Sequence, residues 1–184
     1  MTDTWTAYQK DLKEVESQGP FRLSREERDY IAGHALDSIY DLSAELNIYV
    51  SKAKDEDAST SARKIAALSN LLGDIGWERE AARTSREELS AGECKRWFLG
   101  ELFPIAQLRP WLEEWQRQDD EALVEAERRL EACQLERNEG GSVFLRPDEK
   151  EAEMRSAIAD AQTKLGTGAI LLARVEKWMA SHEN

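Results

Sequence analysis

The C-terminal part of the chain repeats apolar residues at the spacing of a helix. Between residues 154 and 179 they follow one another at alternating steps of four and three. Such a repeat places every member on one face of an α-helix, whereas a strand would send alternate residues to opposite faces. A repeat kept for this long is typical of a helix that packs lengthwise against another helix. The 154–179 seam consists of Met154, Ile158, Ala161, Leu165, Gly168, Leu172, Val175 and Met179.

Apolar stripes with the same period occur upstream, separated by helix-breaking or helix-starting residues. We therefore predict an all-α fold: an irregular bundle of about five to seven helices, with a long C-terminal helix. Residues 143–145 are at most one short strand-like segment, and a lone strand makes no sheet. The stripes lie within residues 5–15, 31–49, 65–75, 94–102, 112–133 and 154–179.

Several residues mark where these helices should begin and end. Ser24 and Glu27 have the spacing of a capping box, which predicts a helix start. The polar stretch 52–57 is expected to be a loop, and Gly76 is expected to end the next helix as a C-terminal cap. Pro110 suits the first turn of a new helix, because its missing N–H is unused there.

The chain of 184 residues is long enough to bury one core, so we predict a single helical domain spanning residues 1–184. Candidate sub-boundaries lie near residues 55–60 and 139–146, where the sequence is polar or rich in glycine. The first residues lack a basic start and an apolar run, and the longest apolar run is residues 169–173. We therefore expect a cytoplasmic protein that does not associate with membranes.

The net charge of −12 is concentrated in two segments. Residues 1–57 hold 7 basic and 13 acidic residues, and residues 111–141 hold 4 and 10, so each segment has a net charge of −6. Direct binding to nucleic acid is disfavoured, because contacts to phosphates need clustered Lys and Arg. A basic protein partner is favoured, although the charge could serve solubility alone.

Aromatic residues are concentrated near two prolines, beside the second acidic segment. Five aromatic side chains occur between residues 97 and 115. They could form the core of a helix corner, or an aromatic anchor with an acidic rim for a basic partner. The residues predicted to bind that partner are Trp97, Phe103, Trp111, Trp115, Glu113, Glu114, Asp119, Asp120 and Glu121.

No catalytic, metal or cofactor motif stands out. With 37 acidic residues, carboxylate pairs at steps of three and four arise by chance, and neither histidine lies in a Glu-x-x-His pair.

The leading hypothesis is a non-catalytic protein-binding module without a cofactor, of the inhibitor, immunity, antitoxin or phage counter-defence type. One alternative is a helical structural subunit of a larger complex or of a homodimer formed through the 154–179 seam. Another is an all-α hydrolase that uses carboxylates and Mg²⁺. Acidic faces evenly interspersed with Arg and Lys would argue against mimicry of nucleic-acid phosphates.

Overall fold

The structure, a computed structural model, describes residues 21–83, 104–138 and 147–182. These residues form four α-helices: α1 (Arg25–Ser51), α2 (Asp55–Arg83), α3 (Ile105–Asn138) and α4 (Pro147–His182). None of the described residues forms a strand, so the all-α class is confirmed. The described residues form four helices, so the predicted count of five to seven is not matched within them. The helices predicted before Pro20 and between residues 85 and 103, and the strand-like segment 143–145, lie outside the described residues.

Helix α1 begins with the predicted capping box. The Glu27 N–H donates to Ser24 Oγ at 3.2 Å, and the Ser24 N–H donates to Glu27 Oε2 at 2.8 Å. Both residues are buried, and the guanidinium of Arg28 donates to the Leu23 carbonyl oxygen at 2.9 Å. Because these bonds satisfy amides that the first turn leaves unpaired, they fix where the helix starts.

A three-residue turn joins α1 to α2. The Lys54 N–H donates to the Tyr49 carbonyl at 3.0 Å, and the Ala53 N–H donates to the Val50 carbonyl at 3.2 Å. This pair of bonds is the Schellman motif, which requires a left-handed residue after the helix. Ala53 takes that conformation, with φ of 52°. Helix α2 therefore starts at Asp55, inside the stretch predicted to be a loop, and its first turn carries three acids that favour the positive end of its dipole.

The short turn makes α1 and α2 an antiparallel pair, and their facing sides are buried. Ile31 and Ala35 of α1 have no exposed surface, and neither do Leu68 and Leu71 of α2. The predicted stripe of α1 continues through half-buried residues to Tyr49. This pairing leaves the opposite side of α1 facing outward.

Two predicted helix boundaries are wrong. Helix α2 continues through Gly76 to Arg83, and Gly76 does not have the positive φ of a C-terminal cap. Helix α3 begins at Ile105, so Pro110 lies inside the helix and not at the start of one. Pro110 cannot donate the usual hydrogen bond to the residue four positions earlier, and the helix continues with that bond missing.

The chain divides into two compact units, and the division falls within α3. One unit comprises residues 1–108 with 181–184, and the other comprises residues 109–180. The division differs from both candidate sub-boundaries of the sequence. The single domain predicted for residues 1–184 stays a prediction.

In the second unit, α3 and α4 run antiparallel to each other. The Arg109 guanidinium lies 3.6 Å from the Glu176 carboxylate, and the Gln116 amide donates to the Leu165 carbonyl at 3.4 Å. Every member of the 154–179 seam is buried or half-buried, as a helix packed lengthwise requires. A methyl group added at Gly166 would meet nothing within 4 Å.

Within the described part of the chain, no helix is long and apolar enough to cross a membrane.

Candidate functional site

The aromatic patch predicted for partner binding is only partly available at the surface. Trp97 and Phe103 lie outside the described residues. Trp115 has no exposed surface, and its ring centroid lies 6.1 Å from that of the half-buried Trp111. Asp119, predicted as part of the acidic rim, is only 5% exposed. A partner that docks on this conformation therefore cannot touch Trp115 and can reach only the small exposed part of Asp119, and for Trp115 the alternative interpretation as a core residue fits better.

Three of the acids beside this patch are paired with arginines of the same helix. Arg109 binds Glu113 at 2.9 Å, and Arg117 binds both Glu114, at 2.6 Å, and Glu121. These pairs follow from the spacing of three or four residues, which brings side chains together on a helix surface. Asp120 is exposed as well. Two arginines therefore partly offset the charge of the five predicted rim acids, and this mixture of charges argues against phosphate mimicry by α3.

The same pattern continues one turn further along α3. Arg128 and Arg129 both bind the Glu125 carboxylate at 2.8 Å, and their hydrogen bonds lower the pKa of Glu125 to about 2. The hydrogen bonds that Arg117 donates to Glu114 and Glu121 raise the pKa of Arg117 above its ordinary value. Charges of both signs are therefore interspersed along α3, although its acids still outnumber its arginines by nine to five.

Helix α1 presents a different kind of surface on the side turned away from α2. Leu36 is 58% exposed, Tyr40 76% and Ile48 49%, and Ala44 between the last two is exposed as well. Because each of these four residues lies four positions after the one before it, they form one continuous row along the helix. Large apolar side chains that remain in water in such a row are a recognised mark of an interaction site.

A row of acids runs beside this apolar row. Asp37, Asp41 and Glu45 each follow a member of the apolar row by one position, and all three are exposed. The sequence has no Lys or Arg from residue 29 to residue 51. Among the residues that the structure describes, none forms an ion pair with these three carboxylates. We call the two rows together the α1 face: Leu36, Tyr40, Ala44 and Ile48 with Asp37, Asp41 and Glu45.

Exposed apolar residues on α3 do not form a comparable surface. Val124 is 58% exposed and Leu135 61%, but they are eleven positions apart. The side of the helix between them carries charged residues such as Glu127, Arg128 and Glu131. Single exposed apolar side chains of this kind are normal on protein surfaces. They also serve as a matched control for the α1 face.

A groove of about 700 Å³ separates α3 from α4 between residues 119–129 and 150–164. Small and apolar residues line it, including Ala122, Ala126, Met154, Ala157 and Ala161. Its charged residues are of both signs: Asp119, Glu125, Glu153 and Asp160 against Arg129, Lys150 and Lys164. The described residues contain no group of three or more His, Cys, Asp or Glu side chains placed to hold a metal ion. The converging carboxylates that the hydrolase alternative predicts are therefore not found in this groove.

Sequence reasoning identified only the charge of the α1 face. It found the excess of acids within residues 1–57, but it did not single out the apolar row that lies beside three of them. The signal was present, because Leu36, Tyr40 and Ile48 fall outside the buried stripe and share the step of four. The predicted binding residues lie between residues 97 and 121 instead, because aromatic residues are concentrated between residues 97 and 115.

No family model, no curated protein and no solved structure matches this chain.

Proposed function

We propose that this protein is a non-catalytic binding module that engages a basic partner protein through the α1 face. The observation that carries the proposal is the exposed apolar row with an acidic row beside it, in a segment, residues 29–51, whose sequence contains no Lys or Arg. Apolar side chains supply the binding free energy, and unneutralised carboxylates select and steer a basic partner. The proposal keeps the kind of partner predicted from the sequence and moves the contact surface from residues 97–121 to α1.

The small size of the α1 face limits the binding free energy that its apolar residues can supply. Burying one large apolar side chain contributes roughly 1.5–3 kcal/mol. Leu36, Tyr40 and Ile48 are half to three-quarters exposed, so together they would supply roughly 3–6 kcal/mol. Association costs roughly 4 kcal/mol or more in lost freedom of motion. Specific binding therefore needs the charge pairs as well as the apolar contact.

An inhibitor, immunity protein, antitoxin or phage counter-defence protein would use such a face to cover a basic surface of its target. The α1 face supports covering through apolar contact and three carboxylates. We do not propose broad imitation of a nucleic acid, because several acids of α3 are paired with arginines of the same helix. We therefore propose that the partner is recognised as a folded protein surface.

The test is affinity capture from a nuclease-treated lysate of cells that naturally make the protein, using three versions of the bait. The first is the natural chain, the second carries L36S, Y40S and I48S, and the third carries V124S and L135S on α3. One basic protein should bind the first and third baits in stoichiometric amount and be released as salt rises. The second bait should lose it. Retention of the same protein by all three baits, or no retention by any, would refute the proposed function.

The homodimer alternative makes a different prediction that light scattering can check. If a dimer forms through the 154–179 seam, a charged residue in place of a seam residue such as Met154 should break it. The molar mass measured by light scattering should then fall to that of a monomer. The seam is already buried or half-buried within one chain, so a dimer would have to use its half-buried members. A strict monomer at all concentrations would exclude this alternative.

A further inference from the structure

We infer that the segment of the partner that occupies the α1 face is a single amphipathic α-helix, whose apolar row is flanked by Lys or Arg at steps of four. This inference rests on the proposed function and specifies the partner further. It follows from the shape of the apolar row, from the state of the α1 backbone and from the position of the acids.

The apolar row of α1 has the form of a helix-packing ridge. Side chains four residues apart make ridges that fit into the grooves of a second helix. Ala44 is small and lies between Tyr40 and Ile48, so the ridge has a depression there, about 6 Å along the axis from each neighbour. A large apolar side chain of a second helix fits that depression as a knob fits a hole.

An extended segment would fit this surface poorly. The backbone N–H and C=O groups inside α1 are used within the helix, so α1 offers no sheet edge to which a strand could add. A strand laid on the apolar row would leave its own backbone groups unpaired where the row shields them from water. A helix satisfies those groups internally, and only its side chains need to match the α1 face.

The acidic row determines the charge of the incoming helix. Asp37, Asp41 and Glu45 lie along one edge of the apolar row, and the sequence has no Lys or Arg between residues 29 and 51. A helix with Lys or Arg along the corresponding edge pairs with all three. A second copy of this chain would instead bring a like-charged row to the same place, which disfavours self-association through this face.

Synthetic helical peptides test the inference without knowledge of the natural partner. The first probe is a peptide of about five turns with leucines on one face and lysines beside them. The second replaces every lysine with glutamate, and the third scrambles the first so that its leucines no longer share a face. Binding is followed by fluorescence anisotropy, and the contact surface is located by NMR shifts of backbone amides. We expect the first probe to bind with shifts centred on α1, and the other two to bind at least about tenfold more weakly.

Two charge-matched variants locate the interaction. The first carries D37N, D41N and E45Q on the α1 face, and the second carries D120N, E127Q and E131Q on the exposed side of α3. Both remove three negative charges at exposed positions, and circular dichroism verifies that both keep their helix content. The first variant should weaken binding of the leucine–lysine peptide at least about tenfold, and the second should change it less than about twofold.

Each contrary result has a distinct meaning. Equal binding of the ordered and scrambled peptides, or equal weakening by the two variants, would show general charge attraction and overturn the helical inference. Concentration-dependent dimerisation that L36S, Y40S and I48S abolish would overturn it too, because a second copy would be the occupant. In either case the lysate capture still decides the proposed function, because it depends on the natural partner and not on the peptides.

Discussion

The turn between α1 and α2 contains an alanine where the backbone favours glycine, and replacing it should stabilise the protein. Ala53 has φ of 52°, in the left-handed region, where the Cβ atom is crowded by the backbone. Its N–H and that of Lys54 complete the Schellman bonds, so the fold fixes this conformation. Glycine at this position would keep both bonds and remove the crowding.

The expected gain can be worked out from two opposing effects. Relief of the left-handed alanine contributes about 1–2 kcal/mol. Glycine also adds freedom to the unfolded chain, which costs about 0.4–1 kcal/mol. The free energy of unfolding should therefore rise by about 0.5–1 kcal/mol in A53G. Urea unfolding followed by circular dichroism measures this as a higher midpoint with an unchanged slope.

The matched control applies the same substitution at an alanine with ordinary helical geometry. Ala62 is exposed within α2, so A62G should lower the free energy of unfolding by about 1 kcal/mol. The two variants differ only in the backbone conformation of the substituted residue. If A53G destabilised the protein as much as A62G, the left-handed turn would not be present in solution, and the antiparallel pairing argued from it would fail.

Three further predictions concern the buried helix cap at Ser24, the open space beside Gly166 and the titration of two carboxyl groups. S24A should lower the free energy of unfolding by about 1–2 kcal/mol in a urea titration, because it removes a buried helix cap. S69A, on an exposed mid-helix serine that bonds back to its own helix, should change it by less than about 0.5 kcal/mol. G166A should raise the free energy of unfolding by about 0.5–1 kcal/mol, because a methyl group there meets nothing within 4 Å, and a loss would show close packing instead. In an NMR titration Glu125 should titrate near pH 2, because two arginines stabilise its carboxylate. Asp74 should titrate above its usual range, because burial disfavours its ionised form. The ion pairs of Glu125 contribute their full stability above pH 4.5, which is near the pKa of this carboxyl in the unfolded chain, and that stability is lost as the pH falls towards 2. Asp74 has the opposite effect, because its protonation on acidification favours the folded state.

The sequence was most informative where one local rule determines the structure. The capping box at Ser24 and Glu27 is a reciprocal pair of bonds within four residues, and it was found where predicted. The 154–179 seam was predicted correctly as a covered face, because its period alone determines which residues share a side. The same period identified the buried stripe of α1.

Sequence was least informative where tertiary context overrides a local preference. Gly76 and Pro110 usually mark the ends of helices, yet both lie inside one. The turn at Ala53 gave no signal, because a left-handed position normally carries glycine or asparagine. Which tryptophan is buried depends on packing between distant parts of the chain, so the pattern around Trp115 could not distinguish a core residue from a docking residue.

The position of Pro110 affects how the molecule can be dissected. The division between the two units falls between Leu108 and Arg109, and Pro110 follows immediately. A cut there would sever the α-helical hydrogen bonds that span it, normally four, and one of them is already missing because proline has no N–H. A fragment that starts at residue 109 would also carry its proline in the first helical turn, where proline is well tolerated. Residues 109–180 are therefore the natural choice for expressing one unit by itself, and the natural bait for asking whether binding requires α1 at all.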